Sequence, residues 1–371
     1  MNETHIIDSR TQIVNRSYSW IPILFYLSNL YRMVFNSSLF YSTIFVIGGI
    51  IGIYILLIKR PENWKLIACF FLLYAVSCIM NSFIIGNQSL NGALSSILIF
   101  GIGLLLLYSP ISYFQGWICF YLIAFFFIIA IILGIPNYSI FVNSSENYIS
   151  VHLILGISVY YLGLFHSGRK LMLFDLFPPL LCFFLSIWGN GRGGILSSTL
   201  LFIFIVFSFI HQHRDKGVAL FVIRFFVVAS VLILVLKWDA IMSSFLGLGN
   251  MDKGMESARE FIWLAYFEEI QNSTWYLLNG VPLENIPIIS DYNNNTHNSF
   301  IQFHANNGLL VFVIFLFLYL RSSIYYIRNN VLFFAVAFTI LFRGMTDKFI
   351  FGEYGMPLFV FLSFYPMVLK R

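Results

Sequence analysis

Three side chains suited to a negatively charged ligand lie in the second half of the chain, each near the start of a predicted helix. Arg192 stands in WGNGRGGILSS, Arg259 in MESAREFIWLAYFEEI, and His297 in NNNTHNSFIQFHANNGLL. The first turn of a helix has unpaired N–H groups and a partial positive charge, so an arginine there is unfavourable without an anion. A guanidinium binds two phosphate oxygens at once, and a histidine exchanges a proton near neutral pH. These residue types therefore suit a multiply charged anion with a proton-transfer group beside it.

Local sequence supports a helix start at both arginines. Glycines flank Arg192 on both sides, which lets a ligand approach the backbone. Ser257 and Glu260 fit a capping box, so a helix is predicted to begin just before Arg259. Each position also has a simpler explanation. Arg192 can stand in a tight turn and reach lipid headgroups, and Arg259 can form a surface ion pair with Glu256 or Glu260.

The histidine segment is predicted to enter the membrane directly. Thr296 fits the N-cap of the helix that follows, and His297 and His304 are then expected on one face of it. Asn298 belongs to an adjacent polar strip and is a further candidate contact for an anion. Both histidines can instead be ordinary residues of the membrane interface. A metal site is not expected, because no His-x-x-x-His pair occurs here and the single carboxylate of Asp291 provides too few ligands.

The elements that position these residues are predicted to be membrane helices. Of the 371 residues, 59% are hydrophobic and only 10% are charged, and the mean hydropathy is +0.85. Soluble domains average about 25% charged residues, so the composition indicates a polytopic membrane protein and an all-α fold. The four cysteines fall inside apolar runs without metal-ligand spacing. Neither a cofactor nor a nucleic-acid partner is expected.

Apolar runs long enough to cross a bilayer recur along the chain. A crossing needs about 20 residues, and this criterion predicts about twelve spans. The tenth can extend toward Ile327, with Gly308 as a break. The predicted spans lie near 18–35, 38–58, 64–85, 91–108, 117–134, 150–166, 171–189, 193–210, 218–236, 299–320, 329–342 and 355–369.

Lysine and arginine placement predicts the orientation. Alternate connections between the spans are basic, and these connections are expected in the cytoplasm together with both termini. The longest polar segment, about sixty residues between the ninth and tenth spans, then lies outside and carries enough aromatic residues to pack. The chain accordingly divides into a bundle (1–236), a long periplasmic loop with short helices (237–298), and C-terminal spans that complete the bundle (299–371).

Three other charged positions have alternatives. Arg343, in FRGMTDKF, is predicted on the outer face, either as a further phosphate contact or paired with Asp347 at a helix end. Asp175 and Arg224 lie within apolar runs near the cytoplasmic side. Asp175 can pair with Lys170 or Arg169, Arg224 can reach the interface, and a functional role is the alternative for either.

The order of these motifs resembles the O-antigen polymerase and O-antigen ligase superfamily. GNGRGG opens a late span, ESAREFIW lies in the long loop, and THNSFIQFHANNGLL enters the next span, with two spans after it. The resemblance covers about 188–371, and HNSF with GLL is its most specific part. Gly191 stands where many members have serine, so Arg259 and His297 carry the resemblance more than Arg192 does.

The resemblance implies a GT-C-like glycosyltransferase of the bacterial inner membrane. An O-antigen polymerase moves a growing glycan from undecaprenyl pyrophosphate to the next lipid-linked repeat unit at the periplasmic face, often with a chain-length regulator protein. Arg259, Arg192, Arg343 and Asn298 would contact the pyrophosphate, with Arg259 and His297 as the catalytic residues. A ligase that transfers glycan to lipid A–core would hold the same donor. A lipid-linked oligosaccharide flippase is an alternative from a different class.

Overall fold

A computed structural model describes residues 16–61, 63–142, 144–213, 217, 221 and 258–368, and every regular element within these ranges is helical. The sequence explains this outcome, since a lipid-embedded backbone must satisfy its own hydrogen bonds. Up to residue 213 the helices are α1 Trp20–Phe35, α2 Leu39–Tyr54, α3 Trp64–Ile84, α4 Leu90–Tyr108, α5 Tyr113–Ile132, α6 Asn147–His166, α7 Phe177–Trp188 and α8 Arg192–Gln212. From residue 258 they are α9 Ala258–Asn272, α10 Thr274–Asn279, α11 Pro287–Ser290, α12 Ser299–Asn329, α13 Val331–Thr346 and α14 Met356–Val368.

Seven of the described helices are long and apolar enough to cross a membrane, which makes this a membrane protein with a helical bundle. They are α2 with the π-helical turn that follows it, α3, α4, α5, α6, α8 and α12. Shorter apolar helices are formed by Leu173–Trp188, α13 and α14. A described helix overlaps each predicted span except the ninth, which apart from residue 221 lies outside the described residues, as does Arg224. The total of about twelve spans stays a prediction.

Two helices form the centre of the bundle. In α6 every residue from Ile149 to Leu164 is buried, and in α14 every residue from Met356 to Met367 is buried. Helix α6 packs against α5, α7, α8 and α13, and α14 packs against α4, α12 and α13. An apolar helix can face either lipid or protein, and the complete burial of these two shows that the remaining helices enclose them.

The two ends of the bundle differ in what they carry. We call the end at which α6, α8 and α12 begin and α13 ends the upper end, and the opposite end the lower end. The upper end thus includes Asn147, Arg192, Ser299 and Thr346. Short connections close most helix pairs at both ends, and α9 to α11 lie at the upper end.

The described part of the long loop is folded. Helices α9 to α11 share a small core with the first turns of α12, formed by Ile262, Tyr266, Val281, Leu283, Ile286, Ile289, Ile301 and Ala305. The indole Nε1 of Trp263 also donates to the Thr296 carbonyl at 3.0 Å. Residues 258–298 therefore form short helices that pack together, and the division of the chain into three parts stays a prediction.

Helix α12 consists of two halves joined at Gly308. The backbone there has φ +73° and ψ 173°, a region that only glycine adopts readily. A β-carbon at this position would lie 2.5 Å from the Leu278 carbonyl oxygen. The alternative with a break at Gly308 and an end near Ile327 agrees with the structure, in which the helix continues to Asn329 and not only to 320. The half before Gly308 belongs to the loop core, and the half after it runs to the lower end.

His304 attaches the loop to α12. Its Nε2 lies 2.8 Å from the Leu277 carbonyl, which can only accept, so this nitrogen carries the proton. The Nδ1 atom therefore accepts from the Tyr266 hydroxyl at 2.6 Å. The side chain is buried, so His304 is a structural residue and not an interfacial one.

Asp175, near the lower end, is buried in contact with hydroxyl groups. One carboxylate oxygen accepts from Tyr160 and, at 3.3 Å, from Tyr113. Arg169 stacks on the Tyr113 ring, 4.2 Å from its centroid. Among the described residues, Asp175 forms no ion pair with Lys170 or Arg169. Tyrosine hydroxyls satisfy the carboxylate instead.

Candidate functional site

Arg343 is a fully buried cation at the end of α13. Only 2% of it is exposed, and its guanidinium donates to Asp347 Oδ2 and Thr346 Oγ1, both at 3.0 Å. A weaker contact of 3.4 Å reaches the Asn147 carbonyl at the start of α6. A buried charge is tolerable only when paired, and the predicted alternative of pairing with Asp347 is confirmed. A direct contact of Arg343 with pyrophosphate stays a prediction.

The segment after α13 is tied to the start of α12. Asp347 is buried, and its other carboxylate oxygen accepts from the backbone N–H of Lys348 at 2.9 Å. The Ser299 hydroxyl donates to the Asp347 carbonyl at 2.7 Å and accepts from the N–H groups of Phe349 and Ile350. These bonds fix the carboxylate of Asp347 relative to the first residue of α12.

Arg192 is the first residue of α8, as predicted, and its side chain is exposed. The helix approaches α13 closely at Gly193, where a β-carbon would lie 2.7 Å from Thr346 Oγ1 and 3.3 Å from Arg343 Nη1. A side chain at this position would displace the buried guanidinium or its partner. Glycine therefore allows the start of α8 to lie against the Arg343–Asp347 pair.

Arg259 lies in the first turn of α9 and is partly exposed. Burial lowers the pKa of its guanidinium, the negative charge of Asp347 raises it, and the charges of Arg343 and Arg192 lower it. Arg259 therefore lies within electrostatic range of Asp347, Arg343 and Arg192. Glu256, one of the predicted ion-pair partners, lies outside the described residues. The charges of two arginines and one carboxylate thus influence Arg259. Together, these four side chains have a net positive charge.

His297 belongs to the same group but not to a helix. Its φ is +51°, its backbone N–H donates to Asn295 Oδ1 at 2.9 Å, and its ring lies edge-on to Tyr292. Burial lowers the pKa of the imidazole, Asp347 raises it and Arg259 lowers it. The side chain keeps partial exposure. The structure therefore brings His297 and Arg259 together around Asp347, although they are far apart in the sequence.

The N-cap of α12 is Asn298, so the prediction of Thr296 is wrong. The Asn298 side-chain oxygen accepts from the N–H groups of Phe300 and Ile301. Thr296 is buried, and its hydroxyl donates to the Asn298 carbonyl at 2.9 Å, which turns the chain before the helix. His297 precedes the helix, so the expected shared face with His304 is wrong as well. The role of Asn298 as a pyrophosphate contact stays a prediction.

A second set of charges extends the site and was missed in the sequence. Arg32, in the last turn of α1, lies 4.5 Å from the centroid of the Tyr41 ring and donates to the Tyr354 hydroxyl. Burial raises the pKa of the Glu353 carboxyl, Lys348 and Arg32 lower it, and Asp347 raises it. Arg32 lies in the last turn of the first predicted span, on the outer face. The search for basic residues on that face would therefore also have identified it. No sequence signal marks Glu353.

The arrangement can hold an anion beside a proton acceptor. Arg192 is exposed and Arg259 and His297 are partly exposed, whereas the Arg343–Asp347 pair lies behind them. Clustered guanidinium groups at a helix start stabilise phosphate oxygens, and an imidazole kept neutral can accept a proton. Among the described residues, no three His, Cys, Asp or Glu side chains are grouped so as to hold a metal ion.

Comparison of the chain with known protein families, with curated proteins and with solved structures finds no match.

Proposed function

We propose that this protein is a membrane glycosyltransferase of the O-antigen polymerase type. It would move a growing glycan from undecaprenyl pyrophosphate to the next lipid-linked repeat unit, at the periplasmic face of the inner membrane and on a GT-C-like bundle. One observation carries the proposal: the Arg343–Asp347 pair lies against the starts of α8 and α12, and Arg259 and His297 are close enough for Asp347 to influence the pKa of each. The resemblance of the motifs around these residues supports the same reaction class.

The cations suit the charge that develops during this reaction. Breaking the bond between the sugar C1 and the pyrophosphate oxygen leaves negative charge on the diphosphate. Arg259 and Arg192 would contact those oxygens, and the start of α8 adds its N–H groups. Preorganised donors of this kind typically contribute about 3–4 kcal/mol each to transition-state stabilisation. Arg343 would add a fixed positive charge from behind.

His297 would accept the proton from the attacking hydroxyl of the acceptor. A base must be unprotonated before the reaction, and burial together with Arg259 lowers the pKa of the imidazole, so the neutral form predominates near pH 7. General-base catalysis is worth about 10²–10⁴-fold in rate. The pyrophosphate leaves with the negative charge, and the proton passes from the acceptor hydroxyl to His297.

Complementation of a deletion strain tests the proposal. The strain would carry the wild type, Arg259→Ala, His297→Ala or, as a control, Arg169→Ala, an exposed arginine of the lower end. We expect Arg259→Ala and His297→Ala to leave a single repeat unit on the lipopolysaccharide core, because each loses about 10²-fold or more in rate. Arg169→Ala should produce full-length polymer. A membrane immunoblot verifies insertion of each variant.

The gel pattern distinguishes the competing reactions. Normal polymer from both Arg259→Ala and His297→Ala would exclude the proposed catalysis. In the deletion strain itself, polymer stranded on the carrier lipid would indicate a ligase, and repeat units trapped on the cytoplasmic side would indicate a flippase. Either pattern would contradict a polymerase.

A further inference from the structure

A second basic site lies at the lower end of the bundle, on the last turns of α12. Arg321 and Arg328 are seven residues apart, which puts them two turns apart on one face, with Tyr325 between them. Both arginines are exposed. They line a cavity of about 320 Å³ that α12 forms with Pro366 and Met367 of α14.

This cavity continues into an apolar groove. A neighbouring cavity of about 400 Å³ shares Arg321 and Met367 with the first and is otherwise lined by apolar side chains of α3 and α12. Along α12 the groove extends from Arg321 back to Val313, roughly 12 Å at 1.5 Å per residue. The combined space therefore has a basic part at the membrane boundary and an apolar part directed toward the membrane interior.

The walls of this space are held by specific bonds. The Ser322 hydroxyl donates to the Ser363 carbonyl at 2.7 Å, and the Tyr326 hydroxyl donates to the Leu362 carbonyl at 2.8 Å. Pro366 removes the helical N–H that would otherwise serve Leu362, so the tyrosine satisfies a carbonyl that the helix leaves free. The separation of α12 from α14 is thus fixed beside the cavity, and a ligand would meet a preformed shape.

The charges favour an anion there. The two arginines are the only charged side chains that line either cavity, and among the described residues neither forms an ion pair. The partial negative charge at the end of α12 amounts to about half an elementary charge, which the two guanidinium groups outweigh. A preference of arginine for the cytoplasmic side explains why basic residues occur at this end, but not why they line a cavity that opens into an apolar groove.

We propose that this space binds one anionic phospholipid, with its phosphate on Arg321 and Arg328 and an acyl chain in the groove along α12. Guanidinium groups bind phosphate oxygens in pairs, and basic pockets between membrane helices suit anionic headgroups. Exposed Leu66 and Phe317 form opposite sides of the groove and supply the apolar contact. The site is separate from the upper end and does not depend on the proposed glycosyl transfer.

Lipid titration of the purified full-length protein tests the proposal. Delipidated protein in detergent would be titrated with dioleoyl-phosphatidylglycerol or dioleoyl-phosphatidylcholine and bound lipid counted by native mass spectrometry. We expect one phosphatidylglycerol to bind at least tenfold more tightly than phosphatidylcholine. The double variant Arg321→Gln/Arg328→Gln should lose this preference, and Arg169→Gln, at the same end but outside both cavities, should keep it.

Three outcomes would overturn the proposal: equal binding of the two lipids, an unchanged preference in the double variant, or displacement of phosphatidylglycerol by equimolar inorganic phosphate. The last would show an anion site to which the groove contributes nothing. A measurement on the wild type avoids any folding defect of the variant. Phosphatidylglycerol with a photoreactive acyl chain should crosslink to residues 313–321 of α12 or to Leu66 and Phe70 of α3, and crosslinks confined to other segments would contradict the site.

Discussion

Arg259 and Arg343 have similar surroundings but different availability. Arg343 is 2% exposed, and its Nη1 and Nη2 atoms donate to Thr346, Asp347 and the Asn147 carbonyl, so these two nitrogens are committed to the protein. Removing one partner of such a buried pair typically costs about 3–5 kcal/mol. Arg259 keeps part of its surface accessible. The structure thus separates a cation that holds the site together from cations that can contact a ligand.

The pKa of His297 should depend on the charged side chains around it. Burial and the charge of Arg259 both disfavour the imidazolium, and Asp347 favours it less strongly than burial opposes it, so the pKa lies below 6.5. Replacing Arg259 by glutamine removes one of the lowering charges, and we expect the pKa of His297 to rise. Histidine-selective NMR of the purified protein measures both values, with His297→Gln identifying the signal.

The same shift determines how activity depends on pH. A base acts in its neutral form, so polymer formation should persist as the pH falls to 6.5 and decline only as it passes through the lowered pKa. Arg169→Gln, a charge change at the opposite end, should leave the His297 titration unaltered. A His297 pKa above 6.5 would show that Asp347 outweighs burial, and a pKa insensitive to Arg259→Gln would show that the two side chains are not neighbours.

At the scale of elements, the break in α12 allows the loop to dock. Gly308 has φ +73° and ψ 173°, and its missing β-carbon would lie 2.5 Å from the Leu278 carbonyl. Gly308→Ala should therefore strain the break and push α10 away from α12. We expect destabilisation of about 1–3 kcal/mol, the usual cost of a non-glycine residue in this region, with faster proteolysis within 258–298.

Gly134→Ala is the matched control for this change. Gly134 also has a positive φ, +68°, but no atom lies within 4 Å of its missing β-carbon. Backbone strain alone should then lower the melting temperature modestly without exposing the loop to protease. Equal proteolysis of the loop in the two variants would show that the contact with Leu278 is not what holds the loop in place.

The sequence was informative about local features of these elements and not about how they meet. The start of α8 at Arg192 and the pairing of Arg343 with Asp347, four residues apart, follow from rules within one helix. The wrong N-cap prediction at Thr296 has a local cause. His297 adopts a positive φ, which residues other than glycine rarely do. The meeting of Arg259 with His297 depends on tertiary packing, which no spacing encodes.

For the molecule as a whole, the basic residues at the two ends have different surroundings. Those of the lower end are exposed and include Arg60, Lys65, Arg169, Arg321 and Arg328. At the upper end Arg192 is exposed, but Arg343 is paired with Asp347 and Lys348 lies 3.7 Å from Glu353, whereas among the described residues no lower-end lysine or arginine forms an ion pair. Unpaired lysine and arginine near membrane helices favour the cytoplasmic side. The charge rule therefore predicts that the lower end lies inside.

Cysteine labelling tests this orientation directly. Ser145 and Ser167 are both exposed, and they flank α6 at the upper and lower ends. In a Cys69→Ser background, which removes the one exposed native thiol of the described residues, Ser145→Cys should react with a membrane-impermeant maleimide added to intact spheroplasts. Ser167→Cys should react only after permeabilisation. The reverse pattern would place Arg259 and His297 in the cytoplasm, where a periplasmic polymerase could not use them, and would also move Arg321 and Arg328 to the outer leaflet.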